Sequence, residues 1–445
     1  MKIAYIVLKG MPIGGGIENY TEEIGSRLVE RGHEVVVYTM RHYGNTKDGY
    51  YKGMKIITVP TVKTKSLEKV MASLIATLKH IFTEKADVVH FHAFGPAMFC
   101  LLPRILGRKV VVQGHGIEWQ RSRWGLGGKL FLKLVEIPSV CFPHLVTVVS
   151  KTQQKYLKKR YGIKSVYIPT GVSPPIKEPP DIIKKKYGLN KQDYILFAGR
   201  LVREKGVHYL IEAYNRLKTS IKLVIAGDAL YEEKYKQELY RLARGNKNII
   251  FTGFVTGKLL RELFSNCYLF ILPSELEGLP TALLEAMSYG NCCLASDIPE
   301  NIEVLDQYGY SFKNKDVDDL CEKLNFLLQN KNAIESVKQK AREYVLKNFS
   351  WDKIAESFEQ LYYNLKDPKM ELKDEIKSNH SHSKRRWILG RSSFYTWLCY
   401  RALKTLMELK AMGCKDIGVA MTVSGDNVKD LVTLFRLAHY LNMGL

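Results

Sequence analysis

PSELEGLPTALLEAMSYGNCCLASD, residues 273–297, is the stretch that decides how this 445-residue chain is read. Pro280 is a favoured first helical residue, because its missing N–H is one that a helix start leaves unpaired anyway. From Thr281 onward, the spacing of Leu283, Leu284 and Met287 predicts a helix with those three side chains inward. A helix start offers free N–H groups and a partial positive charge, which suits a diphosphate. Glu277 falls in the loop before that start and Glu285 in the second turn, so two carboxylates bracket the anion site. Carboxylates accept hydrogen bonds from hydroxyls. The segment therefore fits a ligand with hydroxyl-bearing groups on both sides of a diphosphate. The plainer alternative is a turn carboxylate and a solvated helix residue.

A second motif works outward from the first. Residues 197–206 read FAGRLVREKG, and the apolar run 194–198 ends in Gly199 and Arg200. Lys205-Gly206 then precedes the amphipathic VHYLIEAYNRL. That is strand, loop and helix, with an Arg and a Lys in the loop where an α/β sheet places its ligands. Arg clamps phosphate oxygens bidentately, while Lys supplies a point charge. Two solvated loop cations are the alternative for this motif alone.

AGRLVREKG at 198–206, EGLPTALLE at 277–285 and AMSYGNCCLASDIPENIEVL at 286–305, in that order, resemble retaining glycosyltransferases of family 4. The resemblance covers about residues 1–365. It implies an α/β chain of the GT-B class, two Rossmann-like doubly wound domains facing a cleft. It also implies a nucleotide diphosphate sugar as donor. The matching positions are Arg200 and Lys205 on the diphosphate, Glu285 on the ribose and Glu277 on the transferred sugar. Gly199, Gly278, Leu279 and Thr281 would line the same donor site. No metal and no cofactor is expected, since cations and a helix terminus neutralise the diphosphate in that family. Asn291-Cys292-Cys293 departs from the family's small or Pro residue followed by apolar ones. Cys behaves as a small hydrophobe, so packing is expected to survive.

At this length the chain predicts two or three domains. Residues 1–172 hold the first Rossmann-like domain, which would meet the acceptor. SPPIKEPP at 173–180 breaks the periodicity and reads as the interdomain linker. Residues 181–350 form the donor domain, and 351–365 a helix that crosses back onto the first. In the first domain, strands are predicted at 3–8, 35–38, 88–92, 109–113 and 145–149, and in the second at 194–198, 223–226, 249–251, 269–272 and 292–295. Residues 366–393 read as a polar linker and 394–445 as an accessory α/β extension, lying outside the resemblance. In that extension helices are predicted over 394–412 and 428–441 and a strand over 417–423.

Charge is uneven. Residues 1–172 carry 26 Lys and Arg against 11 Asp and Glu, whereas residues 173–365 carry 27 against 26. A basic first domain beside a neutral second one points to an anionic surface, and both nucleic acid and the cytoplasmic leaflet of a membrane fit. Two segments contribute: SLEKVMASLIATLKHIF at 66–82, and residues 151–164 with six cations and no acids. Helices packed on a sheet with solvated lysines are the alternative for each. Eight cysteines show no C-x-x-C pair or metal-ligand spacing, which favours reduced thiols in a cytoplasmic protein. The N-terminal apolar run is too short for a signal peptide and no stretch has the length of a membrane span. The expected location is the cytoplasm, peripheral on the inner face of the cell membrane.

In the first domain, Gly14-Gly15-Gly16 follows the first strand and opens a helix. This is not a dinucleotide fingerprint, because the third glycine position is Asn19 and no acidic residue ends the second strand. The resemblance carries Gly15 and Gly16 to the donor phosphates. It carries His115, in GHGIEWQRSRWG, to the cleft near the sugar's hydroxyls. Glu118, Trp119, Arg121, Arg123 and Trp124 follow, and the aromatics and cations together suit a sugar face and an acceptor phosphate. Core tryptophans and solvated arginines are the alternative. His90 and His92 lack a third ligand nearby in sequence and are not read as a metal site, nor are His380 and His382. Base contacts are expected near Phe254 and the Gly227-Asp228 turn.

The reading is a retaining, metal-independent glycosyltransferase moving a sugar onto a sugar or lipid-linked sugar acceptor in surface polysaccharide synthesis. A related epimerase or phosphorylase, a basic nucleic-acid-binding protein and a catalytically silent scaffold are the alternatives. Nucleic acid is not expected as a partner, because it leaves Glu277, Glu285 and Gly199-Arg200 without a use.

Overall fold

The computed structural model describes residues 1–12, 15–43, 48–61, 68–121, 124–229 and 232–367. The extension expected over 394–445, most of the linker at 366–393, His380 and His382 lie outside them, as do Gly14 and Arg123. The described residues fold into two lobes.

The first lobe starts with β1 (Lys2–Leu8), α1 (Gly16–Glu30), β2 (Glu34–Met40), β3 (Gly49–Tyr51) and β4 (Met54–Val59). It continues through α2 (Glu68–Thr83), β5 (Val88–His92), α3 (Leu101–Ile105), β6 (Lys109–Gly114) and α4 (Leu126–Cys141). It ends with β7 (Leu145–Val148), α5 (Lys151–Tyr161) and β8 (Val166–Tyr167). Its sheet runs β3-β4-β2-β1-β5-β6-β7-β8, parallel except for β3 against β4. Strands β1, β2, β5 and β6 are short, β-branched and buried along nearly their whole length, as a sheet covered on both faces requires.

The second lobe holds α6 (Ile182–Tyr187), β9 (Tyr194–Ala198), α7 (Val207–Asn215), β10 (Lys222–Ala226) and α8 (Glu233–Leu242). Then come β11 (Ile249–Gly253), α9 (Gly257–Asn266), β12 (Leu269–Leu272), α10 (Thr281–Ser288) and β13 (Cys293–Ser296). It closes with α11 (Pro299–Leu305), β14 (Tyr310–Phe312), α12 (Val317–Gln329) and α13 (Lys331–Asn348). The sheet is wholly parallel in the order β11-β10-β9-β12-β13-β14. Cys292 and Cys293 are fully buried, with Phe270 paired to Cys293 in register, so the departure from small residues is absorbed in the core.

Along the parallel strands of each sheet the chain order reverses once, between β1 and β5 and between β9 and β12. A crevice opens at such a switch point, outside the carboxyl ends of the strands. The final helix, α14 (Trp351–Lys366), lies on α1 of the first lobe. Arg27 Nε meets Asp352 at 2.7 Å, and Arg31 and His33 both reach Glu359. Trp351 covers Gly171, where a Cβ would stand 2.5 Å from the indole.

Helix α2 packs on the sheet against β1, β2 and β4, as the sheet-packed alternative for this segment has it, and buries Ala72, Ser73, Ala76, Thr77 and His80. Met71, Leu78 and Phe82 are outward, Phe82 at 75% exposure. The reason is steric: Ser73 donates to the Pro96 carbonyl, and only small side chains fit so close an approach.

Candidate functional site

The switch-point loops of the two lobes face each other. On the second lobe, β9 ends in Ala198, and Gly199 and exposed Arg200 follow. Three backbones approach closely here. A Cβ on Gly206, at φ +65, would collide with the Pro273 carbonyl, and one on Gly227, at φ +151, with the Gly199 carbonyl. The loops after β9 and β12 are tied by the Glu275 N–H donating to the Glu204 carbonyl at 2.8 Å. That tie brings the two sequence motifs together. Lys205 Nζ sits 2.5 Å from Glu277 Oε1, with the two side chains 15% and 9% exposed.

Helix α10 begins at Thr281, just beyond Pro280, and buries Leu283, Leu284 and Met287 as its spacing predicts. Leu283 and Leu284 both donate to the Pro280 carbonyl. The N–H groups of Thr281 and Ala282 precede that first turn and stay open to a ligand. Glu285, on the second turn, is half-buried without a hydrogen-bond partner among the described residues. Burial alone pushes its pKa up to about 7.

The first lobe answers from β1, β5 and β6. Gly15 is the N-cap of α1 in extended backbone, and Gly16 is exposed. A side chain on Gly15 would strike the Glu18 carboxylate, whose other oxygen accepts from the Lys9 N–H. His115 follows β6, half-buried, its ring edge-on to Tyr20 at 4.9 Å. Burial drives its pKa down to about 3 against the pull of Glu118, so the imidazole is neutral.

The lobes touch at two glycines. A Cβ on Gly278 would overlap the His115 carbonyl, and one on Gly116 would stand 3.7 Å from the Gly278 Cα. Beside them Arg121 reaches across the gap to Glu204 at 3.2 Å and lies 3.5 Å from Glu118. Burial opposes the charge on Arg121, but Glu118, Glu204 and Glu277 outweigh it and raise its pKa. Lys151 N also donates to Glu303 of the second lobe at 2.9 Å.

Lys205, Glu277, Gly278, His115 and Arg121 thus surround one gap, with exposed Arg200 on the loop after β9. Trp119 does not open toward it: its Nε1 donates to Tyr156 at 3.2 Å, and Lys133 lies over its ring. Tyr156 and Tyr161 both donate to Glu136, a buried carboxyl raised by desolvation. Trp124 rests on Gly128. Both tryptophans are half-buried. Phe254 is 69% exposed just past β11, and the Gly227 turn abuts Gly199.

Sequence reasoning missed Glu204, although it lies inside the quoted loop motif, because its partner Arg121 belongs to the other lobe. It also passed over His92 once the metal reading failed. His92 stands directly behind His115, with His92 Nδ1 3.1 Å from His115 Nε2. His90 is bonded instead to Tyr362 of α14 at 2.6 Å. Among the described residues no group of three His, Cys, Asp or Glu is placed to hold a metal ion. Six described cysteines are free thiols, five of them buried.

Two family descriptions match this chain: Glycosyltransferase Family 4 over residues 14–174, and Glycosyl transferases group 1 over residues 180–344. An Escherichia coli UDP-Gal:alpha-D-GlcNAc-diphosphoundecaprenol alpha-1,3-galactosyltransferase is 25% identical over 383 residues, covering 82% of this chain and 97% of that protein. N-acetyl-alpha-D-glucosaminyl L-malate synthase of Bacillus anthracis is 26% identical over 380 residues, covering 80% and 96%. Among solved structures, sucrose-phosphate synthase from Thermosynechococcus elongatus superposes with a TM-score of 0.72 at 19% identity, covering 82% of this chain and 98% of that one. HepE from Anabaena, in complex with UDP and glucose, gives 0.68 at 20% identity, covering 82% and 100%.

Proposed function

Because this chain belongs to glycosyltransferase family 4 and has its two-lobed GT-B fold, we propose that it transfers a hexose or deoxyhexose from a nucleotide diphosphate sugar, with retention of configuration, to a lipid-linked sugar acceptor in surface polysaccharide synthesis. One observation carries this reading: Lys205, Glu277 and the open start of α10 converge on the gap that His115 and Arg121 close from the other lobe. The named acceptor of the E. coli relative, a diphosphoundecaprenol-linked sugar, supports the acceptor class.

In this reading Arg200, Lys205 and the amides of Thr281 and Ala282 hold the diphosphate, with Gly15, Gly16 and Gly199 giving it close backbone. Leu279 walls the site from the core side, being buried beside Gly278. Glu285 accepts from the ribose and Glu277 from the transferred sugar. The acceptor oxygen bonds to the anomeric carbon on the face from which the diphosphate leaves. The departing phosphate oxygen takes the acceptor's proton. Negative charge grows on the leaving group, and the cations and helix terminus stabilise it where it develops, with no metal or cofactor required. Closure through Arg121–Glu204 and Gly116–Gly278 excludes water from the reacting centre.

The lipid-linked acceptor calls for an approach to an anionic bilayer, and the first lobe presents one. Around the Phe94–Cys100 backbone, α2 and α4 are seated by Ser73 on Pro96 and Ser139 on Phe94. Outward from them stand Phe82, Ile105, Leu126, Phe131 and Leu134, all exposed. The carboxylates of these helices, Glu68 and Glu136, are buried, which leaves Lys69, Lys79, Lys129 and Lys133 as their outer charges. Apolar side chains ringed by lysine suit an anionic interface. No helix among the described residues is long and apolar enough to cross a membrane.

The test is a thermal-shift screen against nucleotide diphosphates and their sugars, followed by product analysis by NMR with the sugar that binds. Binding by a nucleotide diphosphate, an axial-to-axial or equatorial-to-equatorial product, and turnover that persists in excess chelator are expected. An Arg200→Ala protein with near-normal turnover overturns the assigned role of that residue.

A further inference from the structure

The hydrogen-bond chain behind His115 has a direction that its atoms determine. His115 Nε2 faces His92 Nδ1 at 3.1 Å, and His92 Nε2 faces Thr21 Oγ1 at 3.1 Å. Thr21 Oγ1 also stands 2.9 Å from the Ile17 carbonyl, one turn back on α1. A neutral imidazole has one donor and one acceptor nitrogen, and a hydroxyl has a single proton. Both rings are held neutral by burial, His92 the more deeply. The Ile17 carbonyl accepts only, so Thr21 gives its proton there and receives one from His92 Nε2–H. His92 Nδ1 is then an acceptor, and His115 Nε2–H fills it. The opposite polarity, with Thr21 donating to His92, forfeits the Thr21–Ile17 bond and satisfies one fewer.

We propose that Thr21 and His92 are positioning residues that hold His115 as its Nε2–H tautomer, leaving Nδ1 as an obligate acceptor at the cleft. That nitrogen has no partner among the described residues and is not enclosed by them. On the reading that His115 meets the transferred sugar, the sugar must present a hydroxyl proton there. A deoxy or fluoro substituent at that position is selected against, although fluorine matches the hydroxyl in size. The selection comes from two side chains that never touch the ligand. Burial makes it durable, because a neutral ring cannot turn itself into a double donor at ordinary pH.

Nitrogen-15 NMR of histidine-labelled full-length protein tests the tautomer without any sugar. His115→Gln identifies the His115 signals. In the wild type the Nδ1 of His115 is expected in the range of an unprotonated ring nitrogen and Nε2 in the protonated range. Thr21→Val, nearly the same shape without the hydroxyl, is expected to mix the two, and Thr21→Ser to restore the wild-type pattern. An Nδ1–H tautomer in the wild type overturns the proposal, as does a His115 signal unmoved in Thr21→Val. Turnover is the second readout. Thr21→Val is expected to lower kcat/KM roughly 3- to 10-fold, with recovery in Thr21→Ser. A wild-type enzyme that uses every monodeoxy donor equally well, with the tautomer as expected, overturns the sugar contact and leaves the relay standing.

Discussion

Glu285 is the residue at which stability and binding pull apart. Its ordinary pKa is near 4.5, and burial lifts it to about 7 in the folded chain. Below pH 4.5 the carboxyl is neutral folded or unfolded, and its site costs nothing extra. As pH rises through about 7, the folded protein must ionise a group in a place that resists charge, and stability is lost. Glu285→Gln is therefore expected to raise Tm at pH 8 more than at pH 5. The gain is on the order of 2–3 kcal/mol at the higher pH, after discounting for partial exposure. The same variant should lose affinity for nucleotide diphosphates, because Gln replaces an acceptor for hydroxyls with a weaker one. Melting curves at the two pH values, with and without nucleotide, check both halves. An equal gain at both pH values would contradict the raised pKa.

At the scale of elements, the loop from β12 into α10 does two jobs with one backbone. Its Pro273 carbonyl sits under Gly206, which anchors it to the neighbouring loop, and its Gly278 touches the other lobe. Gly278 is not in the left-handed region, so an Ala there suffers from contact alone. Gly278→Ala is expected to hold the lobes apart at the His115 carbonyl while leaving each lobe folded. A displacement of about 1 Å at a reacting centre costs on the order of 100-fold in rate. The variant should thus keep its Tm within a few degrees and lose turnover by about that factor. Steady-state kinetics beside calorimetry measures it, and a Tm collapse with proportionate loss of activity would contradict a closure role.

At the scale of the whole molecule, the excess positive charge belongs to the first lobe, which carries the outward apolar side chains of α2, α3 and α4. Most first-lobe carboxylates are already engaged: Glu84 with Lys2 and Lys55, Glu22 with Lys52, Glu23 with Arg27. Lys69, Lys79, Lys129 and Lys133 are the cations of α2 and α4. Full-length protein is expected to co-sediment with vesicles containing phosphatidylglycerol and not with neutral ones, and to be released as salt shortens the Debye length. Phe82→Ser with Phe131→Ser should weaken vesicle binding about tenfold or more, since each buries apolar area on docking. Turnover with a water-soluble acceptor should stay unchanged. Equal binding by the double variant removes this face from the proposal.

Much of this protein was legible along the chain. The strand–loop–helix motifs at 197–206 and 277–285 are local, so glycine, proline and the spacing of leucines announce them without tertiary help. Both switch-point loops stood where those motifs ended. Strands β3, β4, β8 and β14 went unread: β3, β8 and β14 are only two or three residues long, and β4 was passed over although Gly53 and Pro60 bracket it. Which face of α2 turns inward was not legible, because periodicity reports which residues share a face, and close approach to the sheet decides which face is inside. Glu204 with Arg121, and Thr21 with His92 and His115, were out of reach for a related reason. Each partner arrives on a different element, separated by 83 or 71 residues for the first two contacts. The sequence by itself determined the two doubly wound lobes and which cations, carboxylates and helix start stand in the loops at 197–206 and 273–285. The tertiary structure alone decided which groups meet across the gap and which way the hydrogen bonds behind His115 run. Hydrogen bonds and ion pairs act over a few ångströms, and only folding brings residues so far apart in the chain to that distance.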